Sequence, residues 1–312
     1  MWASGTLMSS SVNPADFCHA GTRRIDHLAA AADAPVVAGA AMDGHIYVWD
    51  VQARTAVFDV PASARRVGFS VALSPQGLEC FVGAYRAWGI ACIDVANRHE
   101  RWRRRDLKHV RGLTAAFDGH AVVAWFPDRA GLLLDAHTGE SVERYVGLRE
   151  FSTSRYGQST LKYARQFELL SGNGARYRWP RDSFALLCSA FSPDLCVVSE
   201  STTPARAIDL RTGKVVWEYR PREGAHILQL DYSPGLDCFV ALEYAYTDPA
   251  RDTGPMVALL HLDRSGHVSF NKAIREWPLG VFCAQGSLLL NGLGELYDVS
   301  TATVTHVFEF PR

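Results

Sequence analysis

Short apolar runs bounded by turn residues recur along most of the chain. Examples are IYVWD at 46–50 and IACID at 90–94, each ending in an Asp. Short apolar runs between Gly, Pro, Asp and Ser are typical of β-strands. Few segments keep the i, i+3, i+4 apolar spacing of a helix over ten residues, and Gly or Pro interrupts most of those. The pattern therefore predicts an all-β protein.

A unit of roughly forty residues repeats through the chain. We mark each copy by the residue expected to end its third strand: Asp50, Asp94, Asp135, Glu168, Asp209, Leu262 and Asp298. The spacings are 44, 41, 33, 41, 53 and 36 residues, around the 40–45 of four-stranded propeller blades. Seven copies predict a seven-bladed β-propeller of four-stranded antiparallel blades. A miscounted fourth copy or N-terminal segment would instead give six or eight blades.

Two kinds of position have an expected structural role in the repeat. Ser-Pro dipeptides at 74–75, 192–193 and 233–234 separate apolar runs, and Pro there ends a central strand and begins a turn. The Asp that ends each third strand is expected to cap the backbone amides of the next turn. Eight residues after the marker, four copies carry an aromatic residue that we expect to cover the junction with a neighbouring blade: Phe58, Trp102, Trp217 and Phe270.

The clearest copy lies at 205–221, where the chain reads Ala207-x-Asp209-x-x-Thr212-Gly213-Lys214-x-x-Trp217. It resembles the tryptophan-docking repeat of the quinoprotein-like β-propellers. The Ser-Pro turns and the pair Trp49-Asp50 resemble WD-repeat blades instead. Both resemblances imply propeller architecture, and neither brings a family active site. Quinoprotein dehydrogenases are typically much larger, exported, eight-bladed and metal-dependent, so their cofactor is not expected here.

Length and composition are those of a globular protein. Residues 23–312 are predicted to form one propeller domain, preceded by an extension at 1–22 that either supplies a ring-closing strand or is frayed. The net charge of −1 gives no overall preference for nucleic acid or an anionic membrane. We predict neither a signal peptide nor a transmembrane helix.

The seven cysteines show no CxxC spacing. This suggests mostly buried, reduced thiols and a cytoplasmic location, although a disulfide between neighbouring strands stays open.

Motifs of known catalytic chemistry are missing from the sequence. It contains no GxSxG elbow, P-loop, HExxH or Rossmann fingerprint. The Asp-Gly-His tripeptides at 43–45 and 118–120 are interpreted as hairpin turns followed by a strand. We therefore predict no catalytic residue, no cofactor and no metal ligand. A metal site would require side chains to converge from different blades.

The segment 98–111 is strongly basic. It holds seven Arg or Lys residues against Glu100 and Asp106, a local charge of +5. One interpretation is an outer edge strand whose charges prevent sheet-to-sheet aggregation. Another is recognition of an acidic protein surface. Binding of nucleic acid or anionic lipid is less favoured, because phosphate contacts would have to extend over a broad surface.

Propeller topology gathers several aromatic and basic residues on one face. Loops between second and third strands open on the same face as the connectors between blades, and Trp and Arg often carry interface energy. Trp88 and Trp179 are also interpreted as blade-packing residues. The candidate partner-binding residues are Tyr85, Arg86, Trp88, Arg103, Arg104, Arg105, Lys108, Arg111, Arg181, Tyr246, Asp248, Arg251, Asp252 and Trp277.

These observations favour a non-enzymatic, cytoplasmic and monomeric propeller. It would recognise one dedicated protein partner, with an acidic surface, through its loop face. An inhibitor or immunity-type protein is one form of this hypothesis. The alternative is an enzyme or a small-ligand binder that uses the central channel. The lining of the channel distinguishes the two, because catalysis would require converging His or carboxylate side chains.

Overall fold

The predicted architecture is confirmed by the computed structural model. It describes residues 25–41, 44–61, 69–84, 88–128, 130–154, 159–164, 166–180, 186–200, 203–245, 256–274 and 280–308. These residues form 28 strands in seven four-stranded antiparallel sheets. In every sheet the strands are adjacent in chain order. The chain is thus an all-β, seven-bladed propeller.

The first four blades occupy the chain up to Pro180. Blade one consists of β1 (Ile25–Ala30), β2 (Val36–Ala41), β3 (His45–Asp50) and β4 (Thr55–Pro61). Blade two consists of β5 (Phe69–Leu73), β6 (Glu79–Ala84), β7 (Ile90–Asp94) and β8 (His99–Arg104). Blade three consists of β9 (Gly112–Ala116), β10 (Ala121–Trp125), β11 (Ala130–Asp135) and β12 (Ser141–Val146). Blade four consists of β13 (Glu150–Thr153), β14 (Thr160–Tyr163), β15 (Gln166–Leu170) and β16 (Arg176–Pro180).

Three more blades complete the ring. Blade five consists of β17 (Leu186–Phe191), β18 (Leu195–Glu200), β19 (Ala205–Asp209) and β20 (Val215–Tyr219). Blade six consists of β21 (Ala225–Ser233), β22 (Cys238–Ala245), β23 (Met256–Leu262) and β24 (Val268–Ile274). Blade seven consists of β25 (Gly280–Cys283), β26 (Leu288–Asn291), β27 (Glu295–Asp298) and β28 (Thr303–Val307). A 3₁₀ turn, Phe117–Gly119, joins β9 to β10.

The first strand of each blade lies innermost. Each of these strands contacts its counterparts in both neighbouring blades, and β1 contacts β25, so the ring is closed. Phe308 follows β28 and packs in one apolar cluster with Trp49 and Val51 of blade one. Its ring centroid lies 6.0 Å from that of Trp49. Residues 1–22, the predicted extension, lie outside the described residues.

The antiparallel order defines two faces. Connectors between blades and loops between second and third strands open on one side, which we call the connector face. Loops between first and second strands and turns between third and fourth strands open on the other side, which we call the hairpin face. Trp88, after β6, and the segment 105–111, after β8, both belong to the connector face.

The predicted Asp caps are present in five of the marked turns. Carboxylate oxygens of Asp50, Asp94, Asp135, Asp209 and Asp298 accept hydrogen bonds of 2.7–3.2 Å from backbone N–H groups two or three residues ahead. Each bond satisfies an amide that the tight turn leaves without a strand partner. The regular spacing of these Asp residues therefore reflects turn geometry.

Two of the seven marker residues, Leu262 and Glu168, do not cap the turn that follows their strand. Leu262 does end β23, and the turn is capped by the next residue, Asp263. The assignment of Glu168 to a strand end is wrong. Glu168 lies inside β15, where it pairs with Arg176 and Arg178 of β16 at 3.1 and 3.3 Å, and the strand continues to Leu170.

Outer-strand aromatic residues dock onto the next blade. The Trp217 indole lies over Gly266, and its Nε1 donates a 2.9 Å hydrogen bond to the Arg264 carbonyl of blade six. A Cβ atom at Gly266 would lie 2.7 Å from the indole ring. The residue also has φ +84, a conformation that favours glycine. This contact confirms that Trp217 covers a blade junction.

The same docking recurs at two other junctions. Trp102 of blade two lies over Gly139 of blade three, and its Nε1 donates to the Ala136 carbonyl at 2.9 Å. In blade four the position belongs to Tyr177, which packs on Gly213 of blade five. Thus an aromatic residue outside the strict eight-residue spacing also performs the docking.

The cysteines of the described part are buried or half-buried thiols. Cys80, Cys92, Cys188, Cys196, Cys238 and Cys283 are free, so none of these six forms a disulfide. Burial raises the pKa of Cys238 to about 11 and that of Cys92 to about 12. Such thiols stay protonated at neutral pH and serve as small apolar side chains.

Candidate functional site

The predicted partner-binding residues divide into two sets. Six belong to the described residues, and all six lie in or beside the outer edge and exit loop of blade two: Trp88, Arg103, Arg104, Arg105, Lys108 and Arg111. Eight lie outside the described residues: Tyr85, Arg86, Arg181, Tyr246, Asp248, Arg251, Asp252 and Trp277. The site is therefore built from blade two.

A stacked pair forms the centre of this region. The Arg103 guanidinium lies 3.9 Å from the centroid of the Trp88 ring, a cation–π arrangement. Trp88 is half-buried and packs against the apolar cluster shared by blades one and two. Arg103 also pairs with Glu100 on the same strand. Trp88 is thus a packing residue whose ring also positions a cation.

Much of the basic run is neutralised within the fold. Arg101 contacts Glu79 and Asp94, each at 2.6 Å. Arg104 pairs with Asp106 at 2.7 Å and donates a 2.8 Å hydrogen bond to the Gly139 carbonyl of blade three. Arg104 therefore helps to join blades two and three. Arg101 and Arg104 are structural, which supports the interpretation of the run as a charged edge strand.

Two of the candidate cations keep their charge exposed. Arg105 and Lys108 lie on the exit loop, are exposed, and form no ion pair with any described residue. Together with Trp88 and Arg103 they form what we call the blade-two surface. This surface presents an aromatic ring, a stacked guanidinium and two solvated cations on the connector face.

Arg111 belongs to a different environment, beside Glu150 at the start of blade four. Glu150 keeps partial exposure as a residue, but its Oε2 is enclosed and has no hydrogen-bond partner. Burial raises the pKa of Glu150 to about 8, against the attraction of Arg111. This burial was not predictable from the sequence, because a Glu beside apolar Phe151 is typical of a solvated strand end.

The Glu150→Gln variant should reveal this buried acid. The folded pKa of about 8 exceeds the unfolded value of about 4.3, so the native state prefers the protonated side chain. The wild type therefore loses stability as pH rises between these values, whereas Gln does not. We expect the melting temperature of the variant to exceed that of the wild type by an amount that grows from pH 5 to pH 8.

An exposed carboxylate provides the control for this measurement. Glu143 lies on β12 and is exposed, so Glu143→Gln removes the same charge without a buried site. Its melting temperature should follow the wild type across the pH range. Two outcomes would contradict the assignment of Glu150 as a buried acid. The difference in melting temperature between Glu150→Gln and the wild type could stay constant across the pH range, or it could shift in favour of the wild type as the pH rises.

A cavity of about 370 Å³ lies in the central channel. First strands of blades one to seven contribute to its lining, together with the hairpin-face loops that hold Asp33, Pro75 and Phe117. It therefore lies at the hairpin-face end of the channel. A second chamber of about 170 Å³ shares Ala30, Ser189 and Asp231 with it.

The two sides of this cavity differ in chemistry. Blades one to three contribute mainly apolar residues, including the partly exposed Leu28, Ala30 and Ala115. Blades four to six contribute polar ones: Thr153, Ser154, Ser189, Gln229 and Asp231. The cavity therefore has an apolar wall opposite a hydrogen-bonding wall.

The acid–base groups that line the cavity are His27, Asp33, Asp118 and Asp231. Burial lowers the pKa of His27 to about 4, so its ring is neutral at pH 7, and the Val71 N–H donates to its Nδ1 at 3.4 Å. Within the described residues, no three His, Cys, Asp or Glu side chains come close enough to hold a metal ion.

Comparison with known proteins gave no match, either to a protein-family model or to a curated protein sequence. In the described part of the chain, no helix is long and apolar enough to cross a membrane. The propeller fold therefore rests on the structure, and function has to be argued from the blade-two surface and the channel.

Proposed function

We propose that this protein is a non-enzymatic propeller that binds an acidic segment of one protein partner through its connector face. The observation that carries the proposal is the blade-two surface. Its Arg103 guanidinium is held over Trp88 at 3.9 Å, beside the exposed Arg105 and Lys108. Arg103 is already paired with Glu100, so the charge that is free to meet a carboxylate is that of Arg105 and Lys108. The Trp88–Arg103 stack provides a fixed flank beside these two cations.

The surface favours protein over nucleic acid as the partner. Arg101 and Arg104, which a phosphate backbone would otherwise contact, are engaged with carboxylates inside the fold. The cations of the blade-two surface, Arg103, Arg105 and Lys108, lie within six residues of the chain, whereas nucleic-acid binding uses phosphate contacts over a wide surface. A short acidic stretch with an apolar or aromatic neighbour fits this chemistry.

We further propose that the blades are of the tryptophan-docking type and that the protein works in the cytoplasm. The first is supported by the docking of Trp102 and Trp217 on glycines of the next blade. The second is supported by the free, protonated thiols, which persist in a reducing compartment. An inhibitor or immunity-type protein that covers its partner's active surface is one form of this function.

Charge reversal tests the proposal. The Arg105→Glu/Lys108→Glu variant leaves the pairs of Arg101, Arg103 and Arg104 intact, so the fold should be unchanged. We expect affinity capture from cytosol, quantified by mass spectrometry, to recover about tenfold less of the main partner, because like charges now oppose it. The purified partner should then bind the wild type with an affinity that falls as salt rises.

A matched control separates location from net charge. Arg144 on β12 and Lys214 in a hairpin-face turn are both exposed, and Arg144→Glu/Lys214→Glu changes the net charge equally. Capture by this control should equal that of the wild type. If both variants lose the partner equally, or if neither does, the blade-two surface is not the binding site.

A further inference from the structure

We infer that the hairpin-face end of the central channel binds a small organic cation with an apolar body, such as an arylalkyl ammonium ion. This site is separate from the blade-two surface, which lies on the connector face. The cavity of about 370 Å³ falls in the range of small-molecule sites, about 300–1,000 Å³. Its chemistry selects the class of ligand.

The charge of the lining selects for a cation. Asp33 and Asp118 border the cavity, and the described lining contains no Lys or Arg. His27 is neutral at pH 7, because burial lowers its pKa to about 4, so it does not offset these carboxylates. A cleft lined by one sign of charge concentrates ligands of the opposite sign.

Interlocked loops place both of these carboxylates at the mouth. The Asp33 N–H donates a 2.7 Å hydrogen bond to the Pro75 carbonyl, and Gly119 abuts the Pro75 ring, since a Cβ there would lie 2.8 Å from its Cδ. The loop of Pro75 thus lies between those of Asp33 and Asp118. Both carboxylates are solvated, and neither side chain forms a hydrogen bond or ion pair with a described residue.

An aromatic ring at the same mouth can receive a cation. Phe117 borders the cavity and is 38% exposed, which is unusual for a large apolar side chain beside a core. A ring face near carboxylates is a favourable environment for an ammonium group. Behind it, the partly exposed Leu28, Ala30 and Ala115 provide an apolar wall for the remainder of the ligand.

Calorimetric titration with three related probes tests the inference. Phenethylamine carries the ammonium group and an aromatic body, phenylethanol is its neutral analogue, and phenylacetate is an anion. We expect saturable binding of phenethylamine to the full-length protein, about tenfold weaker binding of phenylethanol, and no binding of phenylacetate. Absence of saturable phenethylamine binding, or equal affinity for the alcohol, would overturn the inference.

Variants locate the binding. Asp33→Asn/Asp118→Asn should weaken phenethylamine binding about tenfold, and the fold should tolerate it because Asn suits the left-handed backbone of residue 118 (φ 56). The control Glu143→Gln/Glu223→Gln removes two exposed charges elsewhere and should bind phenethylamine as the wild type does.

A cavity-filling variant tests the site independently. Ala30→Leu should fill the cavity and abolish phenethylamine binding. Thermal melting would check that each variant is folded. Unchanged affinity for phenethylamine in either the Asp33→Asn/Asp118→Asn variant or the Ala30→Leu variant would refute the site.

Discussion

The Arg222→Ala variant is expected to unfold with a free energy about 3 kcal/mol lower than that of the wild type. Glu243 is completely buried in β22, whereas the Arg222 side chain is 42% exposed. The Arg222 Nε donates to Glu243 Oε1, and the Tyr219 hydroxyl donates to Oε2 at 2.8 Å. Removal of the guanidinium leaves a buried carboxylate without its counter-charge, which costs much more than loss of a surface ion pair.

Urea unfolding of three variants would measure this contribution. Arg211→Ala is the control, because Arg211 is exposed in a turn and should change the free energy of unfolding by less than about 0.5 kcal/mol. The double variant Glu243→Gln/Arg222→Ala removes the buried, unpaired charge and should recover part of the lost free energy of unfolding. A cost for Arg222→Ala as small as that of Arg211→Ala would show that the pair does not stabilise the fold.

The second large effect is expected at the blade five–six junction. The Gly266→Ala variant should be destabilised by about 2–4 kcal/mol. Part of this cost is the left-handed backbone, φ +84. The larger part is the new Cβ, which would lie 2.7 Å from the Trp217 indole and push the ring off the Arg264 carbonyl.

Gly174 offers a closely matched control. It occupies the corresponding turn of blade four with φ +85, and a Cβ there would have no neighbouring atom within 4 Å. Gly174→Ala therefore pays the backbone cost alone, about 1–2 kcal/mol. Equal melting temperatures for the two alanine variants would mean that the indole contact adds nothing to stability.

The fold was predictable because each blade carries local signals. The Asp of a turn has to sit next to the amides that it caps, so Asp50, Asp94, Asp135, Asp209 and Asp298 report strand ends directly. Blade four fails this rule for a physical reason. Its turn is closed by Asn173, whose side-chain oxygen accepts from the Ala175 N–H at 2.9 Å, and the nearest carboxylate, Glu168, is used for cross-strand ion pairs.

The site was less predictable because its partners are distant in the chain. The run at 98–111 suggested a surface of seven cations, but Arg101 and Arg104 meet partners such as Glu79 and the Gly139 carbonyl, which periodicity does not place beside them. The residues that line the channel were equally hard to predict from the sequence. Gln229 and Asp231 alternate with apolar residues in β21, and the sequence cannot tell whether such polar positions face bulk water or an internal cavity.

The use of one continuous stretch of chain for every described blade has a consequence for biosynthesis. All hydrogen-bonded ladders of a blade join strands that follow one another directly, so each can form soon after its last strand leaves the ribosome. Packing of Phe308 against Trp49 has to wait until all seven blades have been synthesised. Growing chains would therefore expose the flank of blade one until then, and that flank is where a chaperone would be needed.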